Sequence, residues 1–314
     1  MLTYSVIIPT YNKGKFVVEA VNSALQQTDK RGEVIVVDDG STDNTSKLLS
    51  PLNDRILYVY QENSERAAAR NKGIRLASGD IIFFLDADDL WERNHVEKVL
   101  EVFERDKNVG LVYSGAVLID EKGIELSIIN RGRELQGFVL KDVLKTGSVR
   151  FVNSSAAVLR MTFDRVGYFN EDILLSGSED FEMWVRIINR YPIAGTNSIT
   201  VKYRTYSENT MSNPERMEIS MMRALNSLFL NHIDSPDLIR FRNQCYARIH
   251  ILTAINFYAA GKVTDAIRHL WESLKCYPLV FFYPIYVYTL LRVMLGKRIF
   301  QVLRKWKYYK KQEI

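Results

Sequence analysis

The chain has 314 residues, 47% hydrophobic and 25% charged, enough for a real core and for one large domain or one domain with an appendage. Its net charge of +5 is concentrated at one end: after Gly296 seven basic residues face one acid, a net of +6, which leaves the first 296 residues at −1. That distribution speaks against nucleic acid as a partner of the main body.

The first 120 residues alternate between two patterns. Tyr4–Pro9, Glu33–Asp38, Ile56–Gln61, Asp80–Leu85 and Val109–Ile119 are short β-branched or aromatic runs. Between them, 15–27, 42–49, 65–77 and 94–106 carry helical spacing. This alternation predicts an α/β fold, a mostly parallel mixed sheet flanked by helices. Farther on, strands are expected near Val149–Leu159 and Ile199–Tyr206, with a helix from Ser178 to Asn189. From Pro214 the chain reads as a helical extension, with Gly261 between two helical patterns and Ala266, Leu270 and Leu274 on one face of the second. The expected divisions are 1–212, 213–276 and 277–314. Cys245 and Cys276, far apart and without metal-ligand spacing, read as buried free thiols. No secretory signal opens the chain, so a cytoplasmic location is expected.

Polar clusters follow three of the strands, where open parallel sheets bind ligands. Asp86, Asp88 and Asp89 end the run Ile81–Leu85. Clustered carboxylates repel, and a divalent cation such as Mg²⁺ or Mn²⁺ would supply the counter-charge and grip a diphosphate. The alternative is a solvated acidic loop that caps the next helix. Asp38 to Asp43 follows the second strand, where a carboxylate can accept from a base or ribose and Gly40 permits a tight turn. Ser41 or Asp43 reads equally well as a helix cap. Within Arg66–Asn71 the alanines permit close approach of a ligand or strand, and Arg70 could point at a base or diphosphate. A packing face with solvated arginines is the other reading. Asp180 shares a helix face with Met183, Trp184 and Ile187, which makes it a candidate general base, although acids also suit the first turn of any helix.

Together these segments resemble the family 2 glycosyltransferases of bacterial cell-surface polysaccharide synthesis. The resemblance rests on Val6-Ile7-Ile8-Pro9-Thr10-Tyr11-Asn12, then Glu33–Asp43, Ala67–Gly73, Ser78–Asp89 and Ser178–Arg186, in the family's order over roughly residues 3–212. It implies the nucleotide-sugar-binding A-type fold and an inverting hexosyl transfer from a nucleoside-diphosphate sugar, with UDP favoured. Thr10, Tyr11 and Asp39 would hold the base and ribose beside Arg70, with Pro9 and Ala87 in the same pocket. Asp86 would lie near the ribose or diphosphate, Asp88 would hold the metal, and Asp180 would take the acceptor's proton. The sequence departs from the family at Tyr206, where the segment Tyr-Arg-x-His ends in His in many relatives. A nucleotidyltransferase would want a Gly-rich phosphate loop, which the stretch from Thr10 to Lys15 does not supply. Keeping both Asp88 and Asp180 argues against an inactive nucleotide-sugar-binding scaffold.

The tail changes character at Tyr277. Tyr277–Leu295 is largely apolar, interrupted by Pro278, Pro284, Thr289 and Arg292. Ile299, Phe300, Leu303 and Trp306 then fall on one helical face among lysines and arginines. This is the composition of a helix lying in a membrane interface, which would put the protein peripherally at the inner face of the cell membrane with a glycan or lipid-linked acceptor. A packed helical appendage, an oligomer contact and a membrane span are the alternatives, the span weakened by Pro284 and Arg292.

Overall fold

The computed structural model describes residues 1–206 and 213–309, with the backbone alone for 297–309. The chain divides into two compact units, Met1–Leu140 with Val149–Asn209, and Lys141–Ser148 with Thr210–Ile314.

The first unit opens as the alternating pattern requires: β1 (Tyr4–Thr10), α1 (Val17–Leu25), β2 (Gly32–Asp38), α2 (Thr45–Leu49), β3 (Leu57–Tyr60), α3 (Glu65–Leu76) and β4 (Ile81–Phe84). These four strands run parallel in the order β3-β2-β1-β4. All residues of β1 and β4 are buried, because helices cover both faces. Phe83 and Phe84 are inaccessible to solvent, and each contributes about 1.5–3 kcal/mol of burial. The register pairs Thr10 with Asp38, so the carboxyl ends of β1 and β2 lie level. A Cβ on Gly73 would stand 2.5 Å from Ile7 Cγ2, so this glycine lets α3 pack directly on β1.

The remainder of the sheet is mixed. It comprises β5 (Leu90–Trp91), β6 (Leu111–Ile119), β7 (Glu125–Asn130), β8 (Ala156–Leu159) and β9 (Ile193–Arg204), with α4 (His95–Arg105), α5 (Leu140–Thr146), α6 (Thr162–Val166) and α7 (Glu179–Arg190) in the intervening chain. β4 pairs antiparallel with β8, β8 with β6, and β5 with β9, whereas β6 and β9 are parallel. Helix α4 buries Val96, Val99, Leu100 and Phe103 at helical spacing, and α7 buries Met183, Trp184, Ile187 and Ile188.

Three expectations change. The strand sought over 149–159 is only Ala156–Leu159, because Asn153–Ser155 forms a 3₁₀ turn whose polar side chains are needed elsewhere. β9 starts six residues before the expected strand, and β7 escapes notice because five of its six residues are exposed, so no burial pattern marks it. Of the two cysteines, both free, Cys245 is buried but Cys276 is only half-buried.

The second unit is helical: α8 (Pro214–Asn231), α9 (Pro236–Ile239), α10 (Arg242–Ala259), α11 (Val263–Cys276) and α12 (Pro284–Tyr309), broken at Gly296. Its core joins Ala247, Ile251, Ala254 and Phe257 of α10 to Ala266 and Leu270 of α11 and to Tyr286 and Val293 of α12. Among the described residues no helix is long and apolar enough to cross a membrane. The side chains of Ile299, Phe300, Leu303 and Trp306, and of the basic residues from Lys297 onward, lie outside the described residues, as do Met211 and Ser212.

Candidate active site

The loops after β1 and β2 are clasped together. Asn12 takes a left-handed backbone (φ 51°), its N–H donates to Ser41 Oγ at 2.9 Å, and its side-chain oxygen accepts from Thr42 N at 2.8 Å. Asp43 Oδ2 accepts from Gly14 N at 3.0 Å. Asp38 is spent on structure, accepting from Ser41 N and from the Tyr58 hydroxyl. Asp39 is buried and accepts from Gln61 Nε2 at 2.7 Å and Ser64 N at 3.0 Å. Burial nevertheless leaves its proton affinity above the usual carboxylate range. Gly40 turns the loop at φ 84°, and a Cβ there would meet Asn63 N at 2.7 Å. Pro9 and Thr10 are buried, and Thr10 Oγ1 has no hydrogen-bond partner. Tyr11 is 47% exposed. A buried hydroxyl without a partner costs ~1–3 kcal/mol, which a bound polar group would recover.

The acidic strand end separates into distinct environments. Asp89 is buried, accepting from Ser154 Oγ and from Arg204 N at 2.8 Å. Burial, then the charges of Asp88 and Asp86, push its proton affinity well up. It pins the strand end to β9. Asp86 accepts through Oδ1 from Arg70 at 3.0 Å and from Asn153 Nδ2 at 2.9 Å, and its backbone N–H donates to Ser154 Oγ. Ala87 is buried between them. Asp88 Oδ2 accepts from Lys13 Nζ at 2.9 Å and from the Tyr206 hydroxyl at 2.6 Å. Lys13 also donates to that hydroxyl.

Arg70 is the hub. It is 2% exposed, so the reading of a solvated arginine is corrected at this position: Ala67 and Ala69 do form a buried packing face, but Arg70 and Asn71 are buried with them, whereas Arg66 keeps 37% of its side chain exposed. One guanidinium arm reaches Glu179 Oε1 at 2.7 Å, the other Asp86, and the plane stands over Phe169. Burial would raise Glu179, but the positive charges of Arg70 and Arg66 outweigh it and hold this carboxyl below its usual range. Asp180, half-buried at the start of α7, is pushed up to about 6 by burial and by the charge of Glu179, while Arg70 pulls the other way and Asp86 adds a small rise. Tyr203 is raised by burial and then by Asp89, Asp86, Asp88 and Asp180, so all four carboxylates act on one phenol. Asp180 and the acidic strand end therefore lie close enough to act on the same side chain. Lys13, Asn153, Glu179 and Tyr203 were not singled out from sequence. Of these, Glu179 carried a signal as an acid one residue before Asp180, and Tyr203 as the first residue of the segment that ends at Tyr206.

Could this cluster hold a divalent ion? Among the described residues no three His, Cys, Asp or Glu side chains stand together to enclose one. Asp88 is a hard oxygen donor with 20% of its side chain exposed, and Asp86 keeps 27%. Magnesium-type sites use one or two carboxylates and complete their shell with water and substrate phosphates, so this donor set fits an ion shared with a diphosphate.

Residues 5–167 match the family described as "Glycosyl transferase family 2". The chain belongs to that family. An uncharacterized glycosyltransferase of Rickettsia conorii is 32% identical over 246 residues, 77% of this chain, and the chain spans about two fifths of that relative's length, 40%. In fold, S. aureus TarS 1–349 in complex with UDP-GlcNAc aligns with a TM-score of 0.65 at 16% identity, covering 97% of this chain and 92% of that one. The Pyrobaculum calidifontis mannosyltransferase PcManGT, in complex with GDP-Man and Mn²⁺, aligns with a TM-score of 0.60 at 20% identity, covering 94% and 85%. The family 2 glycosyltransferase described here has the α/β architecture of these enzymes, with a mixed sheet and a C-terminal helical unit.

Proposed function

We propose that this family 2 glycosyltransferase moves a sugar, with inversion, from a nucleoside-diphosphate sugar to a hydroxyl of a glycan or lipid-linked acceptor. The observation that carries the reading is that Arg70 ties Asp86 of the acidic strand end to Glu179, the residue before Asp180, so that the metal-ligand candidate and the base candidate belong to one charged cluster. Thr10, with its unsatisfied hydroxyl, and Asp39 receive the base and ribose, and the exposed Tyr11 ring supplies a face for the base. UDP is the favoured nucleotide, consistent with UDP-GlcNAc in TarS, although PcManGT holds GDP-Man. Asp86, oriented by Arg70 and Asn153, lies beside the ribose and diphosphate. Asp88, with phosphate oxygens, would hold Mn²⁺ or Mg²⁺, which when bound supplies positive charge to the departing diphosphate. Asp180 accepts the proton of the attacking hydroxyl. Its raised proton affinity suits a base working near neutral pH, and attack opposite the diphosphate inverts the anomeric carbon.

The test is a donor screen with Mn²⁺, measuring release of nucleoside diphosphate. At least one donor is expected to turn over in the wild type, and Asp88→Ala is expected to lose the response to added metal. No binding and no release with any donor would reject the reading.

The C-terminal tail supports membrane association. Leu279, Phe281 and Phe282 are 48–76% exposed, and so are Leu291 and Met294 one helical turn apart on α12, 46% and 73%. Exposed aromatic and aliphatic side chains ahead of a basic stretch suit an anionic lipid interface. Removing residues 297–314 is expected to release the protein from vesicles containing anionic lipid in a flotation assay; unchanged flotation would reject the anchor.

A further inference from the structure

The carboxylate assigned to the metal already carries a cation of the protein's own. Lys13 Nζ and the Tyr206 hydroxyl both donate to the same oxygen, Asp88 Oδ2, at 2.9 and 2.6 Å. Neither donor arrives by chance of a floppy surface chain. The Lys13 carbonyl accepts from Phe16 N and Val17 N, both at 2.9 Å, where it opens α1, and the residue before it is clasped to the β2 loop through Ser41 and Thr42. The ammonium also stands 4.9 Å from the centroid of the Tyr206 ring. That ring packs on Phe16 at 5.2 Å, and Phe16 is covered in turn by the Arg204 guanidinium. Arg204 Nε donates to the Asp88 carbonyl at 2.8 Å, which holds the backbone of the acidic turn. The Tyr206 phenol donates to Asp88 and so helps to hold the carboxylate in place beside the ammonium.

Electrostatics then sets an order of events. A divalent ion approaching Asp88 meets an ammonium within hydrogen-bond distance of the same oxygen, and two cations cannot share it without strong repulsion. The donor's diphosphate, two negative charges shared over its non-bridging oxygens, would give both cations a partner: Lys13 could turn from Asp88 to a phosphate while the carboxylate is released. We propose that Lys13, braced by Tyr206, is an internal counter-ion that occupies Asp88 until the donor arrives, so that capture of the divalent cation depends on the nucleotide. This rests on the assignment of Asp88 as metal ligand. It makes Lys13 a positioning residue that neutralises the carboxylate in the empty enzyme and follows the diphosphate in the loaded one.

The test is Mn²⁺ binding to the full chain, read from loss of the free-ion electron paramagnetic resonance signal, with and without UDP. Wild type is expected to bind Mn²⁺ weakly alone and ~10-fold or more tightly with UDP. Lys13→Met is expected to bind Mn²⁺ without UDP ~10-fold more tightly than wild type, so that the gain from UDP shrinks. Lys13→Gln checks that the effect follows loss of charge and not a change in packing. Lys15→Met removes the same charge from an exposed side chain that pairs with Glu121, and is expected to leave Mn²⁺ affinity near wild type. Equal affinity in Lys13→Met and wild type, or an equal gain in Lys15→Met, would overturn the proposal. Asp88→Asn separates the two levels. Loss of Mn²⁺ binding in that variant, together with no effect at Lys13, defeats the counter-ion alone. Unchanged Mn²⁺ binding in Asp88→Asn defeats the metal assignment and the counter-ion with it.

Discussion

Replacing Asp180 by Asn is expected to lower kcat by ~10²–10⁴ while leaving donor affinity nearly unchanged. The amide is nearly isosteric and still accepts the backbone N–H of Phe181, which Asp180 Oδ1 accepts at 2.7 Å. What disappears is the ability to take a proton. Pre-steady-state kinetics and nucleotide titration separate the two effects, and full transfer by Asp180→Asn would exclude Asp180 as the base. A second readout follows from linkage. The pKa of Asp180 is raised to about 6 in the folded chain, against an ordinary value of 3.8. The stability contribution of such a group is fully present below pH 3.8 and is lost as the pH rises through about 6. At neutral pH the ionised carboxylate therefore costs ~1–3 kcal/mol, and Asp180→Asn is expected to raise Tm as it lowers the rate. In the wild type the free enzyme's kcat/KM is expected to rise with pH through about 6 as Asp180 ionises. A flat profile between pH 5 and about 7 would contradict that assignment.

Arg70→Met is expected to be the most destabilising single change in the cluster. Both ends of the guanidinium are committed, to Glu179 at 2.7 Å and to Asp86 at 3.0 Å, and Arg70 and Glu179 are each 2% exposed. Removing the cation leaves the buried Glu179 with only the more distant Arg66 at 3.8 Å and the Gly177 N–H as partners, a loss approaching the ~3–5 kcal/mol of a broken buried pair. Urea denaturation measures the loss. Arg70→Met with Glu179→Gln should recover part of it, because the second change removes the stranded charge, and a double-mutant cycle reads that coupling directly. Arg70→Lys keeps the charge but cannot span two carboxylates with one fork, so partial destabilisation is expected. Arg70→Met also withdraws the charge that lowers Asp180, so donor binding and the acidic limb of the rate profile should shift together. An Arg70→Met protein as stable as wild type would show that the network is not what holds α3, β4 and α7 in register.

Much of the first unit was legible in the chain itself. The β-branched runs at Tyr4–Pro9, Glu33–Asp38 and Asp80–Leu85 define parallel strands because both faces must be apolar, and that pattern survives in any local window. The polar residues that follow them had to lie at strand ends, since a buried central strand leaves no other place for them. β7 was not legible because it is short and its polar–apolar alternation covers only Glu125 to Ile128, and the strand expected from Val149 was cut short because Asn153 and Ser154 serve Asp86 and Asp89 instead of a ladder.

The sequence by itself determined the α/β class, the positions of the acidic turn and of Asp180, and the family. These follow from local periodicity and from motifs contained in short segments. Only the tertiary structure decided what surrounds each charge. Asp88 and Asp89 are neighbours in sequence, yet one meets Lys13 and Tyr206, residues 75 and 118 positions away, while the other is buried against Ser154 and Arg204. Arg70 reads as either a nucleotide contact or a solvated residue of an alanine-rich helix until Glu179, 109 residues later, is brought to it. Proton affinity and ion selectivity depend on burial and on charges within a few ångströms, and contacts between residues far apart in the chain arise only when the sheet forms.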